Sequence, residues 1–256
     1  MVKEKVMCFM LQARLGSTRL PRKMILPFFN EKNILQLIIE KLKASFPEIP
    51  IVLATSIEPS NDELETLALQ LGCLVHRGSE KDVLHRFIEA GQQFNFKNII
   101  RVCADNPFLD VKEMQHLVKF TKENDQYDYV SFKVNNEPSI RTHFGFWTEF
   151  VTLETLERVN AKTKDEFYHE HVTNFIYQNP AAFKIKFLAV NPVLEGRKDV
   201  RMTLDTSTDF EMLSEIYKRL YLTYGNQFGI DEIVAFLDTH PDYKVAMTEQ
   251  ININSK

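Results

Sequence analysis

Short apolar runs alternate with longer amphipathic stretches along the first part of the chain. Runs rich in β-branched and aromatic residues predict buried strands at residues 6–11, 51–55, 74–76 and 98–103. Between them, apolar residues recur at helical spacing and predict helices at residues 33–42, 61–71 and 82–94. Right-handed crossovers then require a mostly parallel sheet with helices on both faces. Because such sheets bind ligands at the carboxyl ends of their strands, we expect the functional site in the loops that follow strands.

The second part of the chain has a less regular pattern. It predicts strands at residues 129–134, 183–190 and 200–204, and helices at residues 153–159, 166–177 and 210–221. The aromatic, turn-rich segment 135–147 predicts an inserted hairpin, which would either pack on a second subunit or cover a substrate. Because no linker is long enough to separate two units, we expect residues 1–256 to form one domain.

Composition and charge narrow the class of protein. Hydrophobic residues make up 44% of the chain and charged residues 26%, which excludes a disordered chain. The 31 basic and 35 acidic residues give a net charge of −4, so we expect no general nucleic-acid binding and only a local anion site. Cys8, Cys73 and Cys103 lie in or beside apolar runs, which predicts reduced thiols. No stretch resembles a signal peptide or a membrane span, which favours a soluble cytoplasmic protein.

Positive charge is concentrated in the segment after the first predicted strand. No Asp or Glu occurs between residues 6 and 30, whereas four basic residues do: Arg14, Arg19, Arg22 and Lys23. Gly16 lets the backbone turn close to a ligand, and the hydroxyl of Ser17 follows it. A polyphosphate suits such a segment, because two unit charges about 4 Å apart attract by roughly 4 kcal/mol at an effective dielectric constant near 20. A solvated basic loop is the alternative, since the segment matches neither a P-loop nor a dinucleotide fingerprint.

Five blocks of residues carry a family resemblance. They are Arg14-x-Gly-Ser-Thr-Arg-Leu-Pro-x-Lys23 and residues 78–87, 101–110, 170–173 and 201–211. In this order the blocks resemble the cytidylyltransferases that activate acidic sugars, including the 3-deoxy-manno-octulosonate and acylneuraminate enzymes, and most of all their spore-coat-polysaccharide branch. The resemblance implies a Rossmann-like mononucleotide-binding α/β fold, CTP as donor, Mg²⁺ as cofactor and a homodimer.

The resemblance also implies roles for individual residues. Arg14 and Lys23, with Arg19 in the same cluster, would contact the triphosphate of CTP and act in catalysis, while Asp105 and Asp205 would hold the metal. Further substrate contacts are expected along the blocks and beside the basic segment, at Gln12, Gly16, Ser17, Gly78, Asp82, Arg86 and His171. Two aspartates suffice for Mg²⁺, which takes one or two protein carboxylates together with phosphate oxygens and water.

The acidic candidates also have structural explanations. Asp105 precedes Asn-Pro, which is good turn chemistry. Asp205 stands before a predicted helix and could cap it, with Asp209 favouring the helix dipole. Asp82 and Arg86 are four residues apart on a predicted helix and would form a surface ion pair.

The histidines and aromatic residues leave alternatives open too. His171 would touch the acceptor sugar or lie hydrogen-bonded at an interface, and His169, two positions away, would face another side of its helix. The aromatic residues Phe144, Phe146 and Trp147 would pack in the hairpin or a subunit contact, or form a sugar platform.

Four positions depart from the pattern of the family. Arg22 stands where the family usually has glycine, and Asp205-Thr-Ser-Thr-Asp209 replaces the usual Asp-Thr-Pro-Glu-Asp, losing the proline and one acid while keeping both aspartates. Glu149 matches a family acid, but its predecessor Thr148 does not match.

The sequence therefore predicts a Mg²⁺-dependent cytidylyltransferase that transfers CMP from CTP to a nonulosonic or octulosonic acid, releasing pyrophosphate, for surface polysaccharide biosynthesis. A nucleotide-sugar glycosyltransferase is one alternative, although such enzymes usually carry Asp-x-Asp where this chain has Asp105-Asn-Pro. A non-catalytic module that binds nucleotide or phosphosugar is the other. No cysteine has a basic neighbour suited to a nucleophile, so no covalent intermediate is expected.

Overall fold

The computed structural model describes residues 7–254, and Val6, the first residue of the first predicted strand, lies outside this range. The strands found there are β1 (Met7–Gln12), β2 (Pro27–Phe29), β3 (Lys32–Asn33), β4 (Ile51–Ser56), β5 (Leu74–Gly78), β6 (Asn98–Cys103), β7 (Tyr129–Val134), β8 (Glu137–Pro138), β9 (Glu149–Thr152) and β10 (Ile185–Ala189). The α-helices are α1 (Ile34–Ser45), α2 (Asp62–Gln70), α3 (Val83–Gln93), α4 (Val111–Glu123), α5 (Leu153–Lys162), α6 (Glu166–Glu170), α7 (Asn174–Gln178), α8 (Ser207–Tyr224), α9 (Ile230–Asp238) and α10 (Pro241–Ile253).

A mixed sheet forms the centre of the fold, with strand order β10-β7-β9-β6-β1-β4-β5 and β8 paired to β7. Strand β1 runs parallel to both β4 and β6, β4 runs parallel to β5, and β10 runs parallel to β7. Strand β9 lies between β6 and β7 and runs antiparallel to both. The predicted mostly parallel α/β fold is confirmed, and β9 adds an antiparallel strand that was not predicted.

Helices cover both faces of the sheet, which is why β1 is apolar at successive positions. Phe9 and Leu11 pack into one core with residues of α1, α4, α8 and α9. Cys8 and Met10 pack into the other core, with residues of α3, α5 and α7. Among residues 7–254, no helix has the length and apolar character needed to cross a bilayer.

Two predicted elements differ from the structure. Residues 200–204 are all buried but form no strand; Met202 N donates to His143 O at 2.8 Å and Leu204 N donates to Asp105 O at 2.9 Å. The apolar pattern of this segment therefore reflects burial, and its backbone hydrogen bonds go to loops instead of a neighbouring strand. The predicted helix 166–177 is divided into α6 and α7, with His171 ending α6.

The predicted inserted hairpin is short. Strands β7 and β8 pair in an antiparallel fashion across Asn135 and Asn136, whose φ angles are 51° and 66°. Asparagine adopts this left-handed conformation more readily than most residues, as a tight hairpin turn requires. The aromatic residues that follow are buried within this chain, and the rings of Phe132 and Trp147 stack at 5.9 Å. A role of segment 135–147 in dimerisation or as a lid stays a prediction.

Candidate active site

A cavity of about 640 Å³ lies at the carboxyl ends of β1 and β6. Ten of the predicted site residues line it: Gln12, Arg14, Gly16, Ser17, Arg19, Lys23, Arg86, Asp105, His171 and Asp205. The lining also includes residues 139–142 and side chains from α6 and α7. The structure therefore brings together residues from all five sequence blocks and adds residues 139–142 and side chains of α7 to the lining.

The basic loop, residues 13–26, is fixed by buried contacts. Leu15 N donates to Asn61 Oδ1 at 2.8 Å, and Asn61 is itself buried. Arg22 N donates to Leu15 O at 3.2 Å and closes the turn. The hydroxyl of Ser17 accepts a hydrogen bond from Leu20 N at 3.4 Å, while a Cβ atom at Gly16 would approach Glu80 Oε1 to 3.1 Å. The alternative of a fully solvated basic loop does not describe this segment.

Lys23 lies between the two predicted metal ligands. Its Nζ is 3.5 Å from Asp105 Oδ2 and 3.9 Å from Asp205 Oδ1, and it donates to Leu204 O at 2.6 Å. The side chain of Lys23 is only 12% exposed. The loops after β6 and before α8 are joined directly, because Leu204 N donates to Asp105 O. Two carboxylates and one ammonium therefore meet at one point of the cavity lining.

Asp205 also binds two arginines. Arg19 Nη2 lies 2.9 Å from Asp205 Oδ1, and Arg201 Nη2 lies 2.9 Å from Asp205 Oδ2. Arg201 holds Asp209 in a bidentate contact at 2.8 and 2.9 Å. Asp209 in turn accepts from the backbone nitrogens of Asp205 and Thr206 and forms a capping box with Thr206. Although burial disfavours a charged carboxyl, Arg201 lowers the pKa of Asp209. Asp209 thus has the helix-terminal role, and Asp205 faces the cavity.

The remaining basic residues of the loop also meet acids from elsewhere in the chain. Arg14 contacts Glu80 at 3.1 Å and Glu170 at 3.6 Å. Arg22 points away and contacts Glu63 at 2.6 Å. The φ angle of Arg22 is 61°, a conformation that glycine adopts without strain, which explains why the family usually has glycine here.

Arg86, Gly78 and Asp82 form a packed support beside the cavity. Arg86 is buried and its Nη1 donates to Ser79 O at 2.8 Å, and burial lowers the pKa of its guanidinium to about 10. A Cβ at Gly78 would lie 3.0 Å from Arg86 Cγ, so glycine makes room for this arginine. Asp82 caps α3 and contacts His169 Nδ1 at 2.8 Å. The structure therefore replaces the expected Asp82–Arg86 ion pair with two other contacts, and neither Gly78 nor Asp82 is in the cavity lining.

The two histidines face different environments, as predicted. His169 lies between Asp82 and Thr163 O. His171 lines the cavity, and its ring meets that of Phe167 edge-on at 4.8 Å. The family acid Glu149 does not lie open to a substrate, because it is buried against Arg101 Nη1 at 2.7 Å and also accepts from Tyr129 and Thr173.

Arg101 was not predicted as a site residue, although it lines the cavity. Its Nη2 donates to Gln12 Oε1 at 3.0 Å, so Gln12 is held by the same network. Burial disfavours the charge of Arg101, but Cys103 and Glu149 raise its pKa. A charged residue inside a strand pattern is the sequence signal that could have identified it, since such a charge needs a buried partner.

Among residues 7–254, the buried polar atoms of the cavity lining that have no hydrogen-bond partner include Arg86 Nε, Asn106 Oδ1 and Thr203 Oγ1. Buried polar groups are nearly always satisfied in native proteins, by protein, water or a ligand. Of the cysteines, Cys103 lines the cavity, whereas Cys8 and Cys73 are buried and burial raises the pKa of both thiols.

The chemistry of Asp105 and Asp205 fits a hard divalent cation. Both carboxylates lie within 4.0 Å of one ammonium group, so positive charge is already favoured between them. Within the described part of the chain, no cluster of three or more His, Cys, Asp or Glu residues could hold a metal. Mg²⁺ is commonly bound through one or two protein carboxylates, a number that Asp105 and Asp205 supply.

A mostly parallel sheet with a cationic loop after its first strand, opposite carboxylates at the same sheet edge, defines a nucleotidyltransferase-like α/β protein. A family model described as Cytidylyltransferase matches residues 8–232, and the chain belongs to this family. It is 35% identical to an uncharacterized protein of Methanocaldococcus jannaschii over 96% of this chain and 93% of that protein. It is 29% identical to the spore coat polysaccharide biosynthesis protein SpsF of Bacillus subtilis over 91% of this chain and 95% of that protein.

Among solved structures, a cytidylyltransferase from Leptospira borgpetersenii superposes with a TM-score of 0.81 at 26% identity. The superposition covers 93% of this chain and 96% of that chain. The resemblance stated from the five sequence blocks is confirmed.

Proposed function

We propose that this protein transfers CMP from CTP to a hydroxyl group of an acidic sugar and releases pyrophosphate. The observation that carries the proposal is the meeting of Arg19 and Lys23 with Asp105 and Asp205 in one cavity at the carboxyl ends of β1 and β6. Cations from a fixed loop suit the triphosphate, and the two acids suit a divalent cation.

The acceptor hydroxyl attacks the α-phosphorus in line and gives its proton to solvent as the new P–O bond forms, and the bond from that phosphorus to the oxygen bridging the α- and β-phosphates breaks, which releases pyrophosphate. Arg14, Arg19 and Lys23 bind the phosphates and stabilise the charge on the departing pyrophosphate. Asp105 and Asp205 would hold Mg²⁺, which would supply charge neutralisation and a lower pKa for the acceptor hydroxyl. Positioning and electrostatics suffice for this reaction, so no covalent intermediate is needed.

Further residues of the cavity lining suit an acidic acceptor. Arg141 lines the cavity, and its ion-pair partner Glu137 lies 3.8 Å away with both side chains about half exposed. Such an exposed ion pair is weak and exchanges readily for a ligand carboxylate. His171 and Phe167 also line the cavity and offer a hydrogen-bonding ring and an apolar surface for a sugar.

The relatives support a place in polysaccharide biosynthesis, as the name of the Bacillus subtilis protein indicates for that protein. The lining by residues 139–142 supports the covering role of segment 135–147 more directly than the subunit contact. A cytoplasmic homodimer completes the proposal, and light scattering of the purified protein tests the oligomeric state.

Pyrophosphate release tests the reaction. Purified protein is incubated with Mg²⁺, each of the four nucleoside triphosphates in turn, and a panel of nonulosonic and octulosonic acids. We expect release with CTP and one or a few of the acids, and its loss in Asp105→Asn and Asp205→Asn. In a parallel incubation with nucleotide sugars as donors, sugar transfer with release of the nucleotide and no pyrophosphate would instead identify a glycosyltransferase. Tight CTP binding with no product across the panel would identify a non-catalytic module.

A further inference from the structure

The last helix, α10, lies outside the segment matched by the family model, which ends at residue 232, yet it packs beside Asp205. Met247 is fully buried, and its Sδ accepts a hydrogen bond from Arg201 N at 3.4 Å. One turn later, Gln250 Oε1 accepts from Thr206 Oγ1 at 3.1 Å. Helix α10 is therefore anchored at Arg201 and at Thr206, which stand on either side of Asp205 in the sequence.

Hydrogen bonds continue from this anchor to the basic loop. Asn254 Nδ2 donates to Gln250 O at 2.9 Å, and Asn254 Oδ1 accepts from Arg19 Nη1 at 2.8 Å. Arg19 Nη2 binds Asp205 Oδ1 at 2.9 Å. The contacts form a closed ring, because Asp205 is adjacent in sequence to Thr206, where the chain of bonds began. The spacing of Gln250 and Asn254, four residues apart, places both on one face at the end of α10.

We propose that Gln250 and Asn254 are positioning residues that hold the Arg19 guanidinium at the cavity for binding the phosphates of the nucleotide. The Arg19 side chain is 53% exposed, and an arginine on a loop with that exposure would otherwise sample many rotamers. The ring engages two of the five N–H donors of the guanidinium and fixes its plane, and the other donors serve the phosphates. The proposal rests on the proposed function, since it assumes that the cavity receives a triphosphate.

The test uses the full-length protein and isothermal titration with two probes, CTP and inorganic tripolyphosphate, both with Mg²⁺. Four variants are compared with the wild type: Asn254→Ala, Arg19→Ala, the double variant, and the control Thr248→Ala. Thr248 lies on the same helix, and its hydroxyl donates only to Lys244 O. Thermal melts check that each variant is folded.

We expect Asn254→Ala to weaken binding of both probes about three- to tenfold, the range of one ordinary net hydrogen bond, because the Arg19–Asn254 contact is exposed to solvent. Arg19→Ala weakens binding of the probes further, and adding Asn254→Ala to Arg19→Ala has no additional effect. A merely structural role of Asn254 would instead weaken binding whether or not Arg19 is present. Thr248→Ala binds as the wild type does. If Asn254→Ala bound both probes with wild-type affinity, or if it lost the same affinity in the presence and in the absence of Arg19, this inference would be overturned. The proposed function would not be affected by either result. If the wild type bound neither probe, the proposed function would fail as well.

Discussion

Replacing Lys23 with methionine removes one ammonium from between two carboxylates and keeps a side chain of similar length. At 3.5 and 3.9 Å, the attractions to Asp105 and Asp205 are each about 4–5 kcal/mol at an effective dielectric constant near 20, before desolvation is subtracted. Asp105 is 36% exposed, so solvent screens its share. Removal of one partner from a buried pair costs roughly 3–5 kcal/mol, and with this screening we expect Lys23→Met to lower the unfolding free energy by about 2 kcal/mol.

The loss should be partly reversed by a divalent cation. Without the ammonium, the two carboxylates repel each other and bind Mg²⁺ or Mn²⁺ more tightly in the absence of nucleotide. A cation that binds only the folded state stabilises it by RT ln(1 + c/Kd) at a free cation concentration c, so tighter binding raises the melting temperature more. Thermal melts with and without Mg²⁺ therefore show a larger increase in Lys23→Met than in the wild type.

Turnover of Lys23→Met gives a separate readout. Loss of one group that stabilises charge in the transition state lowers turnover about 100- to 1,000-fold. Lys32→Met is the matched control, because Lys32 pairs with Glu40 at 2.7 Å on the exposed surface. A Lys23→Met protein with wild-type melting temperature, no added response to Mg²⁺ and unchanged turnover would refute the reasoning.

Three further predictions concern stability. Arg22→Val should lower the unfolding free energy by about 1–2 kcal/mol, because a β-branched residue is strained at a φ of 61°, while Arg22→Gly stays close to wild type. Equal melting temperatures for the valine and glycine variants would contradict this. Burial raises the pKa of Glu113 to about 7, so the folded state holds its proton more tightly than the unfolded state, and stability falls as the pH rises from about 4.5 to 7. Glu113→Gln should flatten that part of the profile, and an unchanged slope would exclude Glu113 as its source. Glu149→Gln leaves Arg101 buried without its counter-charge and should lower the unfolding free energy, measured by denaturant titration, by about 3 kcal/mol. The double replacement Arg101→Met with Glu149→Leu should recover part of this loss. A loss below about 1 kcal/mol in Glu149→Gln would show that the pair is not buried in solution.

The repeated pattern of strand and helix could be predicted because it is local. The central parallel strands β1, β4 and β6 are buried on both faces, so their apolar runs are continuous, and the crossover helices each have one apolar face. Strand β9 escaped prediction because it has only four residues, including the buried Glu149. Segment 200–204 has the pattern of a strand, but its backbone bonds go to His143 and Asp105, which no local pattern reveals.

The sequence predicted the residues that lie in a recognisable motif and also follow a predicted strand. Ten residues from the basic loop and the blocks line one cavity, since parallel strands bring their carboxyl ends to one edge. The charge balance could not be predicted, because Glu80 and Glu170, which neutralise Arg14, are distant in sequence. The contact of Arg19 with Asn254 likewise joins residues 235 positions apart.

The most direct test of the central claim is a crystal structure of the protein with Mg²⁺ and a non-hydrolysable CTP analogue. The account predicts the triphosphate in the cavity after β1, with its oxygens bound by Arg14, Arg19 and Lys23 and the cation on Asp105 and Asp205. A nucleotide bound elsewhere, with Lys23 still held between the two aspartates, would contradict it.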